Sequence, residues 1–169
     1  MVFLSWNRPT PEKQNQCLEK TRVFNYDLKY RGATSRAVFS LEEDEEMAKN
    51  GYALNYSRVS LGSGMETFKK AKNAIQDWRH FALGWAFVER NTPIREGTKF
   101  CVCVNEFLPW VMMPLQVIST VDRVSEDRRS ASFRFSSGTL RGHLLVSPLH
   151  HVPLELDYLL LPCSNDGHV

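Results

Sequence analysis

The sequence predicts an α+β fold in which a sheet wraps on or near one central helix. Apolar residues recur every three or four positions between Gly62 and Phe81, which is the pattern of one helix face. The segments around this stretch are instead rich in β-branched and aromatic residues, as strands are. A chain of 169 residues is long enough for one domain with a core of its own, and too short to indicate two such domains.

The central helix is predicted over residues 62–81. Its apolar face would consist of Met65, Phe68, Ala71, Ile75, Trp78 and Ala82. Ser63 followed by Glu66 matches a capping box, in which the hydroxyl accepts an N–H of the first turn. We therefore expect Ser63 to cap the helix and Gly84 to mark its end.

Strands are predicted on both sides of this helix, over residues 52–61, 84–89 and 98–104. In the third of these, Phe100, Val102 and Val104 point to one face, whereas Cys101 and Cys103 point to the other. Neither set is polar, so both faces of this strand should be covered.

Two further strands follow. Pro109 and Pro114 predict an edge or a break before a strand over 115–121, because proline cannot donate to a ladder. Residues 130–136 alternate, with Ala131, Phe133 and Phe135 facing inward.

We divide the chain into an N-terminal segment (1–50), a domain (51–145) and a divergent tail (146–169). The first contains an acidic run over 42–46, read as a solvated loop, and a short helix over 41–48. A net charge of +2 does not favour a nucleic-acid partner. The sequence has no apolar run of membrane-spanning length and no secretory signal at its start, which predicts a cytoplasmic protein.

The cysteines and histidines indicate no metal site and no cofactor. Cys17, Cys101, Cys103 and Cys163 lack the C-x-x-C spacing of zinc ligands, so we interpret them as reduced thiols. His80, at the predicted helix end, is interpreted as a favourable partner of the helix dipole, with a general acid or base as the alternative.

Seven aromatic residues are candidates for lining a ligand cavity between helix and sheet. Core packing is the more common role of such side chains, and it remains the alternative. The candidates are Trp78, Trp85, Phe87, Phe100, Trp110, Phe133 and Phe135.

A small set of polar residues gives weaker candidates for catalysis. The run from Gly138 to His143 contains two glycines, which predicts a tight turn presenting polar groups at the rim of a sheet. Thr139 and His143 are candidates within this turn, and Tyr56 is a candidate on the predicted first strand.

Several short motifs stand together in order along the chain. They are the stretches 24–26 (FNY), 31–34 (RGAT), 62–64 (GSG), 78–81 (WRHF), 85–88 (WAFV), 108–111 (LPWV), 114–117 (PLQV) and 138–145 (GTLRGHLL). As a set they resemble an uncharacterised protein family of plants that is also found in bacteria. That family is grouped with the START-like, helix-grip superfamily.

This resemblance covers residues 1 to about 145 and implies a curved antiparallel sheet gripping a long helix, often around an apolar cavity. Superfamily members include lipid carriers, hormone receptors and aromatic cyclases. After Leu145 the sequence departs from the family pattern, in which a Gly-Glu-Glu stretch, two strands and a long C-terminal helix follow. We therefore expect a truncated variant that lacks the gripped helix, is poorly stable and leaves the strand 130–136 at an edge.

The function predicted best is non-catalytic binding of a small apolar or amphipathic ligand. An enzyme of the cyclase or hydrolase type, using His143, Thr139 and Tyr56, is one alternative. A structural or protein-interaction module is another. The sequence determines neither the ligand nor the oligomeric state.

Overall fold

A curled antiparallel sheet with few helices forms the framework of this α+β protein. The computed structural model describes residues 3–33, 45–50, 52, 57, 59–105, 109–124, 131–142, 146–147, 150–151 and 156–160. Within these ranges the strands of the sheet are β1 (Phe3–Ser5), β2 (Ala86–Phe87), β3 (Lys99–Val104), β4 (Trp110–Val124), β5 (Ala131–Thr139) and β8 (Leu156–Leu160). Strands β6 (Val146–Ser147) and β7 (His150–His151) pair separately.

The strand order is β2-β3-β4-β5-β8, and β1 also pairs with β4. The strands predicted over 98–104 and 130–136 are confirmed as β3 and β5, whereas the strand predicted over 84–89 is limited to the two residues of β2. The strand predicted over 52–61 is wrong for its described residues 52, 57 and 59–61, which lie outside any strand. The side chains of Val59 and Leu61 are 74% and 62% exposed, so neither packs against the sheet.

β4 runs without a break through Pro114, so the predicted interruption is wrong. The N–H and C=O of one residue in an antiparallel strand point to the same side. The carbonyl of Pro114 accepts from Leu140 N at 3.0 Å, which places the proline nitrogen on that side too. β1 pairs with β4 only over Trp110–Met112, so Pro114 lies beyond the end of β1. Because the proline nitrogen points away from β3, the pairing of β4 with β3 loses no hydrogen bond at Pro114.

A bulge bends β4 farther along. The register with β5 shifts between Val117 and Ser119, which leaves Ile118 as the extra residue. Bulges increase the local twist of a strand and help a sheet to curl. The consequence is that Val117 and the neighbouring Ile118 are both buried.

One face of the sheet is covered by helix α3 (Met65–Gln76). Phe68 and Ile75 pack into a single buried cluster with side chains of β3, β4 and β5. Trp78, predicted on the apolar helix face, and Phe133, predicted to face inward from its strand, both belong to this cluster. Lys72 Nζ also pairs with Asp122 Oδ2 of β4 at 2.5 Å.

Helix α3 is shorter than predicted and is capped differently. Gly64, not Ser63, is the N-cap, and no side chain makes a capping hydrogen bond. Gly64 has φ 85°, a conformation that glycine adopts without steric cost, so the chain turns into the helix one residue after Ser63. The predicted capping box and its Ser63 cap are therefore wrong.

The helix also ends eight residues before Gly84, at Gln76. Trp78 has φ 56°, which no right-handed helix accommodates. Its indole is 1% exposed, and Nε1 donates to the carbonyl of Thr92 at 2.8 Å. Burial of this large side chain offsets the strained backbone, and a short 3-10 turn (Arg79–Phe81) follows.

The other face of the sheet is covered by helix α1 (Pro11–Lys20), which the sequence analysis did not predict. Cys17 of this helix packs with Cys101, Cys103 and Met112 in a second buried cluster. Both faces of β3 are therefore covered, as its two apolar sets predicted. Cys17, Cys101 and Cys103 are free thiols, as expected, whereas Cys163 lies outside the described residues.

Two further expectations concern the short helix and the edge strand. Helix α2 (Glu45–Lys49) confirms the helix predicted over 41–48 for its described part. Glu45 and Glu46 of the acidic run therefore lie in a helix, so the predicted loop is wrong for these two residues. β5 pairs with β8 from Phe133 with Leu160 to Ser137 with Leu156. The expectation that β5 would lie at an edge is therefore wrong, because β4 and β8 flank it on both sides.

Candidate binding cleft

A cleft of about 330 Å³ lies beside the C-terminal end of β5. We call it the β5 cleft. Its lining residues are Phe24, Asn25, Tyr26, Asp27, Lys29, Tyr30, Asn50, Tyr52 and Arg141.

One wall of the β5 cleft is fastened to β5 by backbone pairing. Phe24 forms an isolated antiparallel bridge with Leu140. Asn25 N donates to the carbonyl of Thr139 at 3.2 Å, and Arg141 N donates to the carbonyl of Val23 at 2.9 Å. This segment therefore continues the sheet locally, and its side chains are held in a fixed register.

Thr139 strengthens the same attachment through its side chain. Its hydroxyl donates to Asn25 Oδ1, across 114 residues of sequence, and the residue is fully buried. A buried hydroxyl is stable only when it is hydrogen-bonded, and the carboxamide of Asn25 meets this need. The amide is thereby oriented at the wall of the cleft.

Gly138 allows two aromatic rings to approach the backbone of β5. A Cβ built on this glycine would meet Tyr26 Oη, Ile118 Cδ1 at 2.8 Å and Phe24 Cε1 at 3.0 Å. Carbon atoms in contact normally lie about 3.5–4.0 Å apart, so a side chain at 138 would displace these neighbours. The Phe24 and Tyr26 rings, 5.3 Å apart, depend on a residue without a side chain.

The other wall is formed by the 3-10 turn Leu28–Tyr30 and by residues at the end of α2. Lys29 Nζ pairs with Glu46 Oε1 at 2.6 Å, and the Tyr30 hydroxyl donates to the same oxygen at 3.3 Å. The hydrogen bond to Glu46 raises the pKa of Lys29. Asn50 Nδ2 donates to the carbonyl of Glu46 at 2.7 Å, so Glu46 joins both parts of this wall.

The aromatic part of this wall is a T-shaped pair. The rings of Tyr30 and Tyr52 lie 4.7 Å apart. Burial raises the pKa of Tyr52 above the ordinary value for a phenol, which is already protonated at neutral pH. Protonated phenols can both donate and accept hydrogen bonds at the cleft surface.

Two charged side chains of the lining have a different status from Lys29. Within the described part of the chain, Asp27 and Arg141 form no ion pair with each other or with a third residue. Asp27 Oδ1 accepts from Lys29 N at 3.1 Å, which caps the 3-10 turn and fixes the carboxylate. The backbone of Arg141 is fixed by its bond to Val23.

Residues 35–146 match a protein family described as a domain of unknown function, DUF1990. The chain belongs to this family. It is 50% identical, over 157 residues, to a UPF0548 protein of Arabidopsis thaliana, covering 93% of this chain and 76% of the relative. A UPF0548 protein of Dictyostelium discoideum is 30% identical over 109 residues, which are 63% of this chain and 50% of that protein.

The predicted membership of an uncharacterised family with plant members is thus confirmed. No solved structure matches the chain, so the helix-grip relationship stays a prediction. The residues that line the β5 cleft come from both inside and outside the region that matches DUF1990. Residues 24–30 precede the matched region, whereas Asn50, Tyr52 and Arg141 lie within it.

The seven aromatic candidates for a ligand cavity occupy three different places. Four of them, Trp78, Phe100, Phe133 and Phe135, are buried together in the cluster beneath α3. Their rings are in contact: Trp78 lies 4.6 Å from Phe100 and 5.6 Å from Phe135.

The remaining three aromatic candidates lie elsewhere. Phe87 and Trp110 pack edge to face at 5.6 Å on the α1 side of the sheet. Trp85 is 49% exposed. A ligand cavity between helix and sheet therefore stays a prediction, whereas the β5 cleft is an open space found elsewhere.

Of the catalytic candidates, Thr139 adjoins the β5 cleft, where its hydroxyl is buried against Asn25. His143 and Tyr56 lie outside the described residues. His80 lies in the 3-10 turn beyond α3, so it does not cap that helix. Burial lowers the pKa of His80 to about 4, which makes the imidazole neutral at physiological pH.

None of the residues that line the β5 cleft was a candidate site residue from the sequence. Two of the motifs seen in the sequence, FNY at 24–26 and GTLRG at 138–142, contribute residues to this region, but nothing in the sequence alone paired them. Gly138 and Thr139 were predicted to belong to a tight turn, whereas they lie in β5, where a glycine indicates the close approach of another group.

In the ranges that the structure describes, no three His, Cys, Asp or Glu side chains come together as a metal site. None of the described helices is long and apolar enough to cross a membrane.

Proposed function

We propose that this chain is a non-catalytic binding protein and that a small amphipathic ligand occupies the β5 cleft. The observation that supports this is the convergence of four aromatic rings and several fixed polar groups around one opening. Ligand sites are typically concave, with volumes of about 300–1,000 Å³, and combine aromatic walls with a few oriented polar groups. At about 330 Å³, the β5 cleft suits a ligand at the small end of this range.

The rigidity of the walls supports binding further. Asn25 is held by Thr139, Asp27 is held by Lys29 N, and Asn50 is held by the carbonyl of Glu46. Polar groups that are already oriented lose little conformational entropy when a ligand arrives. The same groups would orient a ligand with both polar and apolar parts.

The proposal includes the remote relationship to helix-grip proteins, for which the packing of α3 on a curled sheet is the supporting feature. In that superfamily the ligand usually lies between helix and sheet, which is not the position proposed for this chain. There the rings of Trp78 and Phe100 are 4.6 Å apart in this chain, which is a contact distance for packed aromatics. The ligand is therefore assigned to the β5 cleft.

Mass spectrometry of small molecules retained by the purified protein tests this function. Asn50→Trp places an indole in the cleft lining, whereas Asn73→Trp makes the same change on the exposed side of α3. We expect one small molecule to be retained by the wild type and by Asn73→Trp, and to be lost from Asn50→Trp.

Two outcomes would contradict the proposal. Retention by Asn50→Trp at wild-type level would place the ligand outside the β5 cleft. If the wild type retains nothing, a fragment screen followed by NMR of the tyrosine resonances decides. If no fragment shifts the resonances of Tyr26, Tyr30 or Tyr52, the proposed binding function is wrong.

A further inference from the structure

The charged groups of the β5 cleft carry information on the class of ligand. Lys29 is neutralised by Glu46 at 2.6 Å, so its charge is satisfied within the protein. Arg141 and Asp27 have no ion-pair partner in the described part of the chain. Both line the same small opening, and they do not pair with each other.

From this arrangement we infer that the ligand is a small zwitterion with an apolar body. Its cationic group lies at the Asp27 carboxylate and its anionic group at the Arg141 guanidinium. This inference rests on the proposed function, because it names the ligand class of the same cleft.

A singly charged ligand would match the lining less well. An anion at Arg141 would share the opening with the Asp27 carboxylate, and a cation at Asp27 would share it with the Arg141 guanidinium. Like charges at close range disfavour binding, whereas a zwitterion satisfies both groups at once. Arg141 presents a planar fork of donors suited to a carboxylate, and Asp27 keeps acceptor capacity beyond its bond to Lys29 N.

The aromatic rings account for the apolar body. Lys29 Nζ lies 4.7 Å from the Tyr30 ring centre, and the guanidinium of Arg31 lies 5.5 Å from that of Phe24. One face of each of these two rings is thus occupied by a cation of the protein. The rings of Tyr26 and Tyr52 also line the cleft, and an apolar group of the ligand would pack against this aromatic lining.

Four probes with the same phenyl body test the inference: phenylalanine, 3-phenylpropionate, 2-phenylethylamine and the neutral 3-phenylpropanamide. Dissociation constants are measured by NMR shifts of the cleft residues in the full chain. We expect phenylalanine to bind about tenfold more tightly than either singly charged probe, as one additional charged hydrogen bond provides.

Two variants assign the charges. In Asp27→Asn, the affinities for phenylalanine and 3-phenylpropionate should become equal within about twofold, and the Asn side chain can still cap the 3-10 turn. In Arg141→Gln, the affinities for phenylalanine and 2-phenylethylamine should converge in the same way. Arg22→Gln is the matched control, because Arg22 is exposed on the same segment and does not line the cleft.

The outcomes separate the two levels of the proposal. If 3-phenylpropanamide binds as tightly as phenylalanine, or if the preference for phenylalanine survives both variants, the zwitterion inference is wrong and binding in the cleft stands. If none of the four probes shifts a cleft resonance and the wild type retains no small molecule, both are wrong. Amide spectra of each variant verify that it is folded, and Arg141→Lys, which keeps the charge, should retain part of the preference.

Discussion

Replacing Gly138 by alanine tests how the β5 cleft is built. The new methyl group would lie against Tyr26 Oη, 2.8 Å from Ile118 Cδ1 and 3.0 Å from Phe24 Cε1. Gly138 does not have a positive φ, so the backbone accepts alanine and the effect is purely steric. Overpacking of a tight site costs about 1–3 kcal/mol, and displacement of two rings places this change near the upper end, about 3 kcal/mol.

The assay is thermal unfolding followed by circular dichroism. For a chain of this size, each 1 kcal/mol corresponds to about 2–4 °C, so Gly138→Ala should lower Tm by about 6–12 °C. Gly84→Ala is the matched control, because nothing lies within 4 Å of a Cβ built there. Its Tm should stay close to that of the wild type.

A double variant tests the cause of the loss. Tyr26→Phe removes the hydroxyl that the alanine methyl group would meet, so Gly138→Ala should cost less in the Tyr26→Phe background than in the wild type. An unchanged Tm for Gly138→Ala, or a cost that is the same in both backgrounds, would refute the described packing of Tyr26 on β5.

Three further predictions concern the core. Trp78→Phe should lower the free energy of unfolding by about 2 kcal/mol in urea titrations, because it removes buried volume and the hydrogen bond to the Thr92 carbonyl. Trp85→Phe, at a half-exposed position, should change the free energy of unfolding little. Equal effects of the two substitutions would contradict the assigned burial. Burial lowers the pKa of His80 from its ordinary value of 6.5 to about 4, so the unfolded chain binds a proton first as the pH falls. Stability should therefore decrease from pH 6.5 towards pH 4, less steeply in His80→Gln, and identical pH profiles would oppose this. A hydrogen bond with Cys17 and burial raise the pKa of Cys101, and burial raises that of Cys103 to about 12. Both thiols should therefore stay unmodified by iodoacetamide at pH 8 in the native protein and become modified in urea, because the thiolate is the reactive form. Peptide mass spectrometry measures the modification.

The parts of the fold that were predictable from the sequence are those with a strong local pattern. The alternation of Phe100, Val102 and Val104 with Cys101 and Cys103 correctly gave a strand covered on both faces. The period of three or four in α3 correctly gave Phe68 and Ile75 as residues that face the sheet. Ala82, which was predicted on the same face, lies beyond the end of the helix and is exposed. In both cases burial follows directly from the repeat of the element.

The errors have a common physical origin in tertiary contacts. Pro114 lies within a paired strand because its nitrogen points to the side beyond the end of β1. Trp78 ends α3 because its side chain is buried in the core while its backbone is left-handed. Neither cause is a property of the local sequence, so proline and helix rules alone gave the wrong boundaries.

The site was less predictable than the fold, because its residues are far apart in sequence. Thr139 and Asn25 meet across 114 residues, and no local pattern indicates such a contact. The aromatic residues that were selected as cavity candidates are the large ones at periodic positions, four of which are in the buried core. The residues of the β5 cleft instead lie on turns and strand ends, where the sequence has no period.

The pairing of β1 and the segment 23–25 with the C-terminal half of the chain has a consequence for the order of folding. Strands β3, β4 and β5 are neighbours along the chain and can pair by closing short loops. Phe3 pairs with Met112 and Phe24 with Leu140, both more than 100 residues apart, and such contacts form late because loop closure costs entropy. The β5 cleft is therefore completed in a late step of folding, after the central sheet. A bound ligand would slow the reopening of this step, and hydrogen exchange at the amides of Asn25 and Arg141 would report it.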